Sequence, residues 1–327
     1  MSPPKIVILL LNWNGRADTL ACLESLQHLS YSQKEVIVID NGSTDGSVEA
    51  IEQRFPQHLL VQNKVNLGFA EGNNVGIHIA LQRGAEYILL LNNDTLVAQD
   101  LLERFIEIFA LYPKAGVLGA KIFLFDPPDT LDHLGGMWDK KTGTFTLVGL
   151  REKYPIKESP EELDYVCGTA FMIKRQVIET IGLLEKRFFL IWEESDFCFR
   201  AKREGFTILT CPQAHIWHKV SASFVGGKPH STYFWWRNRL LWIERNCSFR
   251  ERLSLYVRIL IPDILHMLKI RALKTLQLWV VKRFKSIEVI EKKEFNLLKN
   301  KAALCGVKDY LCRKFGNGPA WLYTKRP

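Results

Sequence analysis

The sequence predicts an α/β fold, a sheet flanked by helices, with a basic helical extension at the C-terminal end. Three observations predict it. Short apolar runs of strand length alternate with stretches whose apolar residues recur at helical spacing, the pattern of a parallel sheet covered by helices on both faces. Three successive runs give way to polar loops, which begin at Asp40, Asn66 and Asn92. Charge is also uneven: residues 228–327 hold 22 Lys and Arg against 7 Asp and Glu, whereas residues 1–227 hold 22 against 28.

Lys5 to Leu11 (KIVILLL) reads as a buried strand, and Asn12-Trp13-Asn14-Gly15 as its exit turn. Arg16 to His28 carries Leu20, Leu23 and Leu26 at helical spacing. A second strand, Glu35 to Ile39, ends in the glycine-bearing loop Asp40 to Ser47, which leads into a helix over Val48 to Arg54. His58 to Gln62 is a short third strand, after which Asn66 to Gly76 opens a helix running to Arg83. Tyr87 to Leu91 is the fourth strand, and Ala115 to Ile122 the fifth.

The fourth strand stops at Asn92, Asn93 and Asp94. Ligands of open α/β sheets bind outside the carboxyl ends of the strands. One carboxylate among neutral oxygens suits a hard divalent cation that keeps waters and phosphate oxygens as its other ligands. The same three residues would also serve as a turn capping the helix expected over Ala98 to Leu111. Three polar loops at corresponding strand ends converge on one crevice, which favours a nucleotide-binding site. None has the G-x-G-x-x-G or G-x-x-x-x-G-K-[ST] pattern, which disfavours Rossmann dinucleotide and P-loop chemistry.

The middle of the chain changes character. Leu131 to Leu147 is glycine-rich and compatible with a hairpin or loop. Tyr165 to Lys174 is a strand interrupted by a glycine, a sign of close approach by a ligand or another backbone. Phe188 to Arg200 (FFLIWEESDFCFR) places aromatic residues before Glu193, Glu194 and Asp196. Three carboxylates there are either the acidic first turn of a helix or a general base held beside apolar surface. His215 and His218 follow on a strand or loop, as packing residues or as ligands near the metal loop.

A chain of 327 residues, 24% charged and 47% apolar, is an ordinary globular protein of one or two domains. No stretch approaches eighteen uninterrupted apolar residues, so no transmembrane helix is expected. The N-terminal run lacks a basic n-region and a small-residue cleavage site, so a strand rather than a signal peptide is expected there. Seven scattered cysteines without a C-x-x-C fit a reducing cytoplasmic compartment and indicate neither a zinc site nor a disulfide framework. In the basic region, His230 to Asn246 and Leu253 to Phe284 have helical spacing with Lys and Arg among apolar residues. Such helices lie on an anionic bilayer or pack on the sheet domain. Pro262 should end or kink the second of them. Nucleic acid is disfavoured as a partner because no binding motif accompanies the charge.

In chain order the sequence carries LLNWNG, VIVIDNGSTDGS, NLGFAEGNNVG, LLLNNDT, CGTAFMIKR, FFLIWEESDFCFR and HKVSAS. Together these resemble family 2 glycosyltransferases of the GT-A fold, in particular the bacterial rhamnosyltransferase-like branch, and KAALCGVKDYLCRKFG resembles the tail of that branch. The resemblance implies a GT-A catalytic domain over 1–227 and a basic helical region over 228–327. It implies an inverting, metal-dependent transfer of a sugar, dTDP-rhamnose being one candidate donor, to a glycan or lipid-linked glycan, in the cytoplasm at the inner face of the plasma membrane.

By the same resemblance Asp40 contacts the nucleotide base, and Asn66, Gly68 and Asn73 line the donor loop. Asn92 stands where the first acid of a D-x-D element often stands, Asn93 lies beside it, and Asp94 holds the divalent metal, Mg²⁺ or Mn²⁺. His218 completes the metal site and Ser221 follows it. Glu193 and Glu194 match a Glu-Asp pair whose second member is the general base. Glu194 in place of Asp moves that carboxylate by roughly an ångström, which makes Asp196 a rival or an orienting group. Two other classes stay open: a non-catalytic nucleotide-sugar-binding relative, which the changes at 92 and 194 favour, and a nucleotidyltransferase, which would need a Gly- and Lys-rich N-terminal loop that LLNWNGRADTL does not supply.

Overall fold

The computed structural model describes residues 3–153, 159–220, 228–281 and 287–323, and for 272, 274–281 and 287–293 the main chain alone. Strands β1 (Ile6–Asn12), β2 (Lys34–Asp40), β3 (Leu59–Gln62) and β4 (Tyr87–Asn92) pair in parallel in the order β3-β2-β1-β4. Helices α1 (Arg16–Gln27), α2 (Ser47–Arg54) and α3 (Gly68–Gln82) connect them. Strand β1 explains why the apolar runs are continuous rather than alternating. Ile6, Ile8 and Leu10 join one core with Leu23 and Leu26, while Val7 and Leu9 join another with Ile77 and Ala80. A strand buried on both faces has no polar side to advertise its period.

Next come β5 (Thr95–Val97), α4 (Leu101–Leu111), β6 (Ala115–Leu124), β7 (Gly135–Asp139), β8 (Thr144–Val148), β9 (Tyr165–Val166), β10 (Ala170–Lys174), α5 (Arg175–Ile181), α6 (Glu193–Arg203) and β11 (Thr207–His218). The expected all-parallel sheet is in fact mixed. Its eight strands run β3-β2-β1-β4-β10-β6-β11-β5, with β10 antiparallel to both β4 and β6. A second sheet, β8-β7-β9, contains a hairpin, one of the two readings of the glycine-rich stretch. The expected strand Tyr165–Lys174 is split into β9 and β10 around Gly168. Nor do Asn92–Asp94 cap the following helix, because β5 intervenes before α4.

The chain forms two units, and they do not meet at a single cut. One comprises residues 1–138, 145–189 and 193–221; the other comprises Asp139–Thr144, Leu190–Trp192 and 222–327. The second unit contains α7 (Pro229–Asn246), α8 (Phe249–Leu255), a π turn (Tyr256–Leu260), α9 (Ile261–Val281) and α10 (Ile287–Leu311). Two buried side chains of α7 hold the short segments in it. Asn238 Nδ2 donates to the carbonyls of Leu190 and Ile191, both at 2.8 Å. The Arg239 guanidinium donates to the carbonyls of Gly143 at 2.9 Å and Thr142 at 2.6 Å. Pro262 does not end the helix. It is the second residue of α9, directly after the π turn. Among the described residues no helix is long and apolar enough to cross a membrane.

Candidate active site

The carboxyl ends of β1, β2 and β4 lie side by side, with Asn12 opposite Asp40 and Leu11 opposite Asn92. Asn12, which reads in sequence as a turn residue, is the hub of this edge. Its Nδ2 donates to Asp40 Oδ1 at 2.7 Å and to Ser43 Oγ at 3.1 Å. Its Oδ1 accepts from Thr19 Oγ1 at 2.8 Å and from Asn93 Nδ2 at 3.3 Å. Asp40 also accepts from the Ser43 N–H at 2.9 Å, which fixes both of its oxygens at the strand end. Asn93 is committed to Thr19 Oγ1 at 2.8 Å, and so braces the edge.

Asn66 closes the turn just ahead of α3, its Oδ1 accepting from the Gly68 N–H at 2.8 Å. Gly68 has φ +81°, and a Cβ there would lie 2.5 Å from the Phe189 carbonyl oxygen. That carbonyl accepts from the N–H groups of Phe69 and Ala70, so the start of α3 is tied to the chain just ahead of α6. Asn73 departs from its expected place. It is buried inside α3, donating to the Phe69 carbonyl one turn back.

Asp94 and His218 are neighbours. Asp94 Oδ1 lies 3.2 Å from His218 Nε2, and the other ring nitrogen, Nδ1, lies 3.0 Å from Asp132 Oδ2. Sequence reasoning missed Asp132, which follows β6 in an irregular connection without periodicity. Burial opposes protonation of His218, but hydrogen bonds to Asp132 and Asp94 prevail and push it up to about 9. Burial likewise raises the Asp132 carboxyl, and the hydrogen bonds from His133 and His218 more than offset it, leaving it well below the usual range.

Once a cation displaces the proton shared by His218 and Asp94, these residues fit a divalent ion in the manner of a site completed by its substrate. Neighbouring ligands of one octahedral ion, each bound at about 2.1 Å, sit about 3 Å apart, close to the separation of Asp94 and His218. No group of three or more His, Cys, Asp or Glu placed to hold a metal occurs among the described residues. Phosphate oxygens and water would supply the other positions. The Asn92 side chain makes no hydrogen bond among the described residues, and its carbonyl accepts from Thr95 Oγ1 at 2.7 Å. His215 has a packing role, with its Nε2 against the Pro212 carbonyl and its ring edge-on to Phe123.

The three carboxylates of α6 have different surroundings. Asp196 is fully buried and paired with Arg200 one turn on, at 3.0 Å, and Arg200 also donates to the carbonyls of Ile181 and Leu183. Asp196 therefore anchors the helix and is poorly placed to act as the rival base. Glu193 is also buried. Glu194 is half-buried, and its Oε2 is shielded from solvent with no hydrogen-bond donor among the described residues. Burial raises its carboxyl above the ordinary value, against a backbone N–H and the charge of His133. Gly168 lies beside it: a Cβ there would be in ordinary van der Waals contact, 3.7 Å from the Glu194 Cβ, Cγ and Cδ. The next residue, Thr169, accepts from the Asn92 N–H at 2.9 Å. The antiparallel strand β10 thus starts between Glu194 and the loop that carries Asp94. Ahead of Glu193, the non-glycine residues Phe189, Ile191 and Trp192 all have positive φ, at 64°, 72° and 82°. Strain of this kind is concentrated at functional sites. Ser221 lies outside the described residues.

The sequence profile described as Glycosyl transferase family 2 matches residues 7–182, more than half of the chain. The chain belongs to glycosyl transferase family 2. Its relatives support the rhamnosyltransferase-like branch. It is 25% identical over 275 residues to N-acetylglucosaminyl-diphospho-decaprenol L-rhamnosyltransferase of Mycobacterium tuberculosis, a match covering 72% of this chain and 87% of the relative. It is 22% identical over 258 residues to dTDP-rhamnosyl transferase RfbF of Shigella flexneri, covering 75% and 82%. Among solved structures it resembles mannosyltransferase PcManGT from Pyrobaculum calidifontis, in complex with GDP-Man and Mn²⁺. The TM-score is 0.54 and the identity 15%, covering 96% of this chain and 88% of that one. The fold is that of GT-A glycosyltransferases, and the chain is a transferase.

Proposed function

We propose that this family 2 glycosyltransferase moves a sugar from a nucleotide-diphosphate donor to a hydroxyl of a glycan or lipid-linked glycan, inverting the anomeric centre. Glu194 is the general base. The observation that carries this reading is its shielded, donor-free Oε2. A carboxylate oxygen without a partner is available to a hydroxyl proton, and burial raises its affinity for that proton. Asp40, braced by Asn12, binds the nucleoside end of the donor, and Asn66 and Gly68 shape the loop beside it. Asp94 and His218 would hold Mg²⁺ or Mn²⁺, which would neutralise charge on the departing diphosphate. Asp132 is a positioning residue that orients His218. Two named relatives favour dTDP-rhamnose as the first donor to test. A lipid-linked acceptor would place the work at the inner face of the plasma membrane.

The test is Glu194→Gln. Removing a general base lowers turnover by roughly 10²- to 10⁴-fold, while stabilisation by nucleotide sugars in a thermal-shift panel should be unchanged. Wild-type turnover in the variant would remove Glu194 from the chemistry. If the unaltered protein binds a nucleotide sugar and transfers to no hydroxyl acceptor tried, the non-catalytic binding reading replaces this one.

A further inference from the structure

The second unit contains an exposed apolar face to which the proposed transfer assigns no role. α8, the π turn and α9 form one uninterrupted helical path from Phe249 to Val281. Along it Phe249, Leu253, Val257, Ile261, Leu265 and Leu268 are each at least 49% exposed, and Phe249 is 71% exposed. Their spacing is four residues, four times over, and then three. On a regular helix a strict four-residue row drifts round the axis, because a turn takes 3.6 residues. Here the π turn at Tyr256–Leu260 takes an extra residue into its turn and the final three-residue step turns back, so the drift is countered twice. The row spans about 30 Å at 1.5 Å per residue. Leu255, Leu260 and Met267 face the other way and are buried.

The exposed positions next to this row are cationic or neutral. Arg250, Arg258, Lys269 and Arg271 are exposed, as are Ser254, Pro262 and His266. The two acids of this stretch are engaged within the unit. Glu251 pairs with Lys140 at 2.8 Å and closes the capping box with Ser248. Asp263 lies 3.7 Å from Arg239.

We infer that this face is a binding surface for an anionic lipid bilayer, lying in the plane of the headgroups with the apolar row inserted and the cations against lipid phosphates. The charge arrangement selects the occupant. A second copy docked on the same face through a two-fold axis would set this cationic surface against itself. A bilayer rich in anionic lipid offers apolar depth and negative charge together, and helices of this kind sink about 5–10 Å into the headgroup boundary. The helix lies on the membrane without spanning it.

The full-length protein is floated with vesicles of phosphatidylcholine alone and with vesicles containing phosphatidylglycerol, at low and high salt. Binding is expected to the anionic vesicles only, and to weaken with salt. A cation near the surface is worth roughly fivefold in partitioning. Arg250→Gln with Arg258→Gln should therefore weaken binding roughly 25-fold, and Leu253→Asp with Ile261→Asp should abolish it. All four residues are half-buried or more exposed, and circular dichroism checks that the variants remain folded. Equal binding to neutral and anionic vesicles, or wild-type binding by the Leu253→Asp, Ile261→Asp variant, overturns the inference. So does a dimer in sedimentation velocity that this variant dissociates, since the face would then be a self-contact.

Discussion

Replacing Asn238 with leucine should slow sugar transfer by at least tenfold while leaving nucleotide affinity unchanged. Leucine matches asparagine in size but cannot donate. Both carbonyls now bound by Nδ2 at 2.8 Å, those of Leu190 and Ile191, would lose their partner in a part-buried setting, and the buried Arg237 Nε would lose its acceptor, Asn238 Oδ1, at 3.0 Å. An unpaired buried carbonyl costs about 1–3 kcal/mol, so the two cost at most about 2–6 kcal/mol. Against this stands the strain of Ile191 and Trp192 at positive φ, about 1–2 kcal/mol per residue and so about 2–4 kcal/mol together. The two quantities are similar, so the hydrogen bonds hold the strained loop by a narrow margin. Without them the loop relaxes towards negative φ and carries the start of α6 with it. Misplacement of a catalytic group by 1 Å can cost about 100-fold. Release of strain offsets part of this loss, so the global destabilisation should be smaller than the lost hydrogen bonds alone would give. Three measurements check this: nucleoside diphosphate release at saturating donor, nucleotide affinity by calorimetry, and denaturant unfolding. Wild-type turnover alongside the expected stability loss would refute the idea that the strained loop serves the base.

Asp132→Asn keeps the shape beside His218 but removes the charge, and should weaken Mn²⁺ binding by roughly 10- to 100-fold; calorimetry with nucleoside diphosphate present would detect this, and unchanged affinity would end its positioning role. Burial raises the Glu194 carboxyl, so turnover should fall on the acid side with a midpoint above the usual carboxylate range. The sign for stability is opposite: a carboxyl harder to ionise in the folded state favours folding at low pH and loses that contribution as pH rises through its folded value. Glu194→Gln should therefore be more stable than the parent at pH 8, with the difference vanishing towards pH 4. A variant less stable at every pH would contradict the buried-charge account.

The parallel half of the sheet and the polar edge at its strand ends were legible because a doubly buried strand reads as a continuous apolar run and changes to polar residues where it leaves the core. Asp40 and Asp94 stood at those changes, whereas Asn66 lies four residues beyond β3, a short strand with no fully buried residue. The direction of β10 was not legible, since an apolar pentapeptide gives no sign of which way it runs. Asp132 was hidden for a related reason: its place depends on a long-range pairing with His218, 86 residues away. Asn12 resembled the turn residues around it. Asp196 was more readable than the sequence argument made it, because Arg200 stands four residues on, the spacing of a helical ion pair. Asn238 and its grip on residues 190–191 depend on tertiary packing that no local pattern reports.

The antiparallel insertion of β10 also has a consequence for biosynthesis. Until β10 pairs with it, β4 is an open edge whose interior, Ile88 to Leu91, is entirely apolar. Such edges are templates for intermolecular pairing. At about 5–20 residues per second, synthesis from the end of β4 to the end of β10 takes roughly 4–16 s. For that interval the nascent chain presents an unpartnered, sticky strand, and β10 is the element that closes it. Ribosome-bound chains stalled before residue 170 should therefore recruit holdase chaperones, and chains stalled well past residue 174, once β10 has left the exit tunnel, should release them.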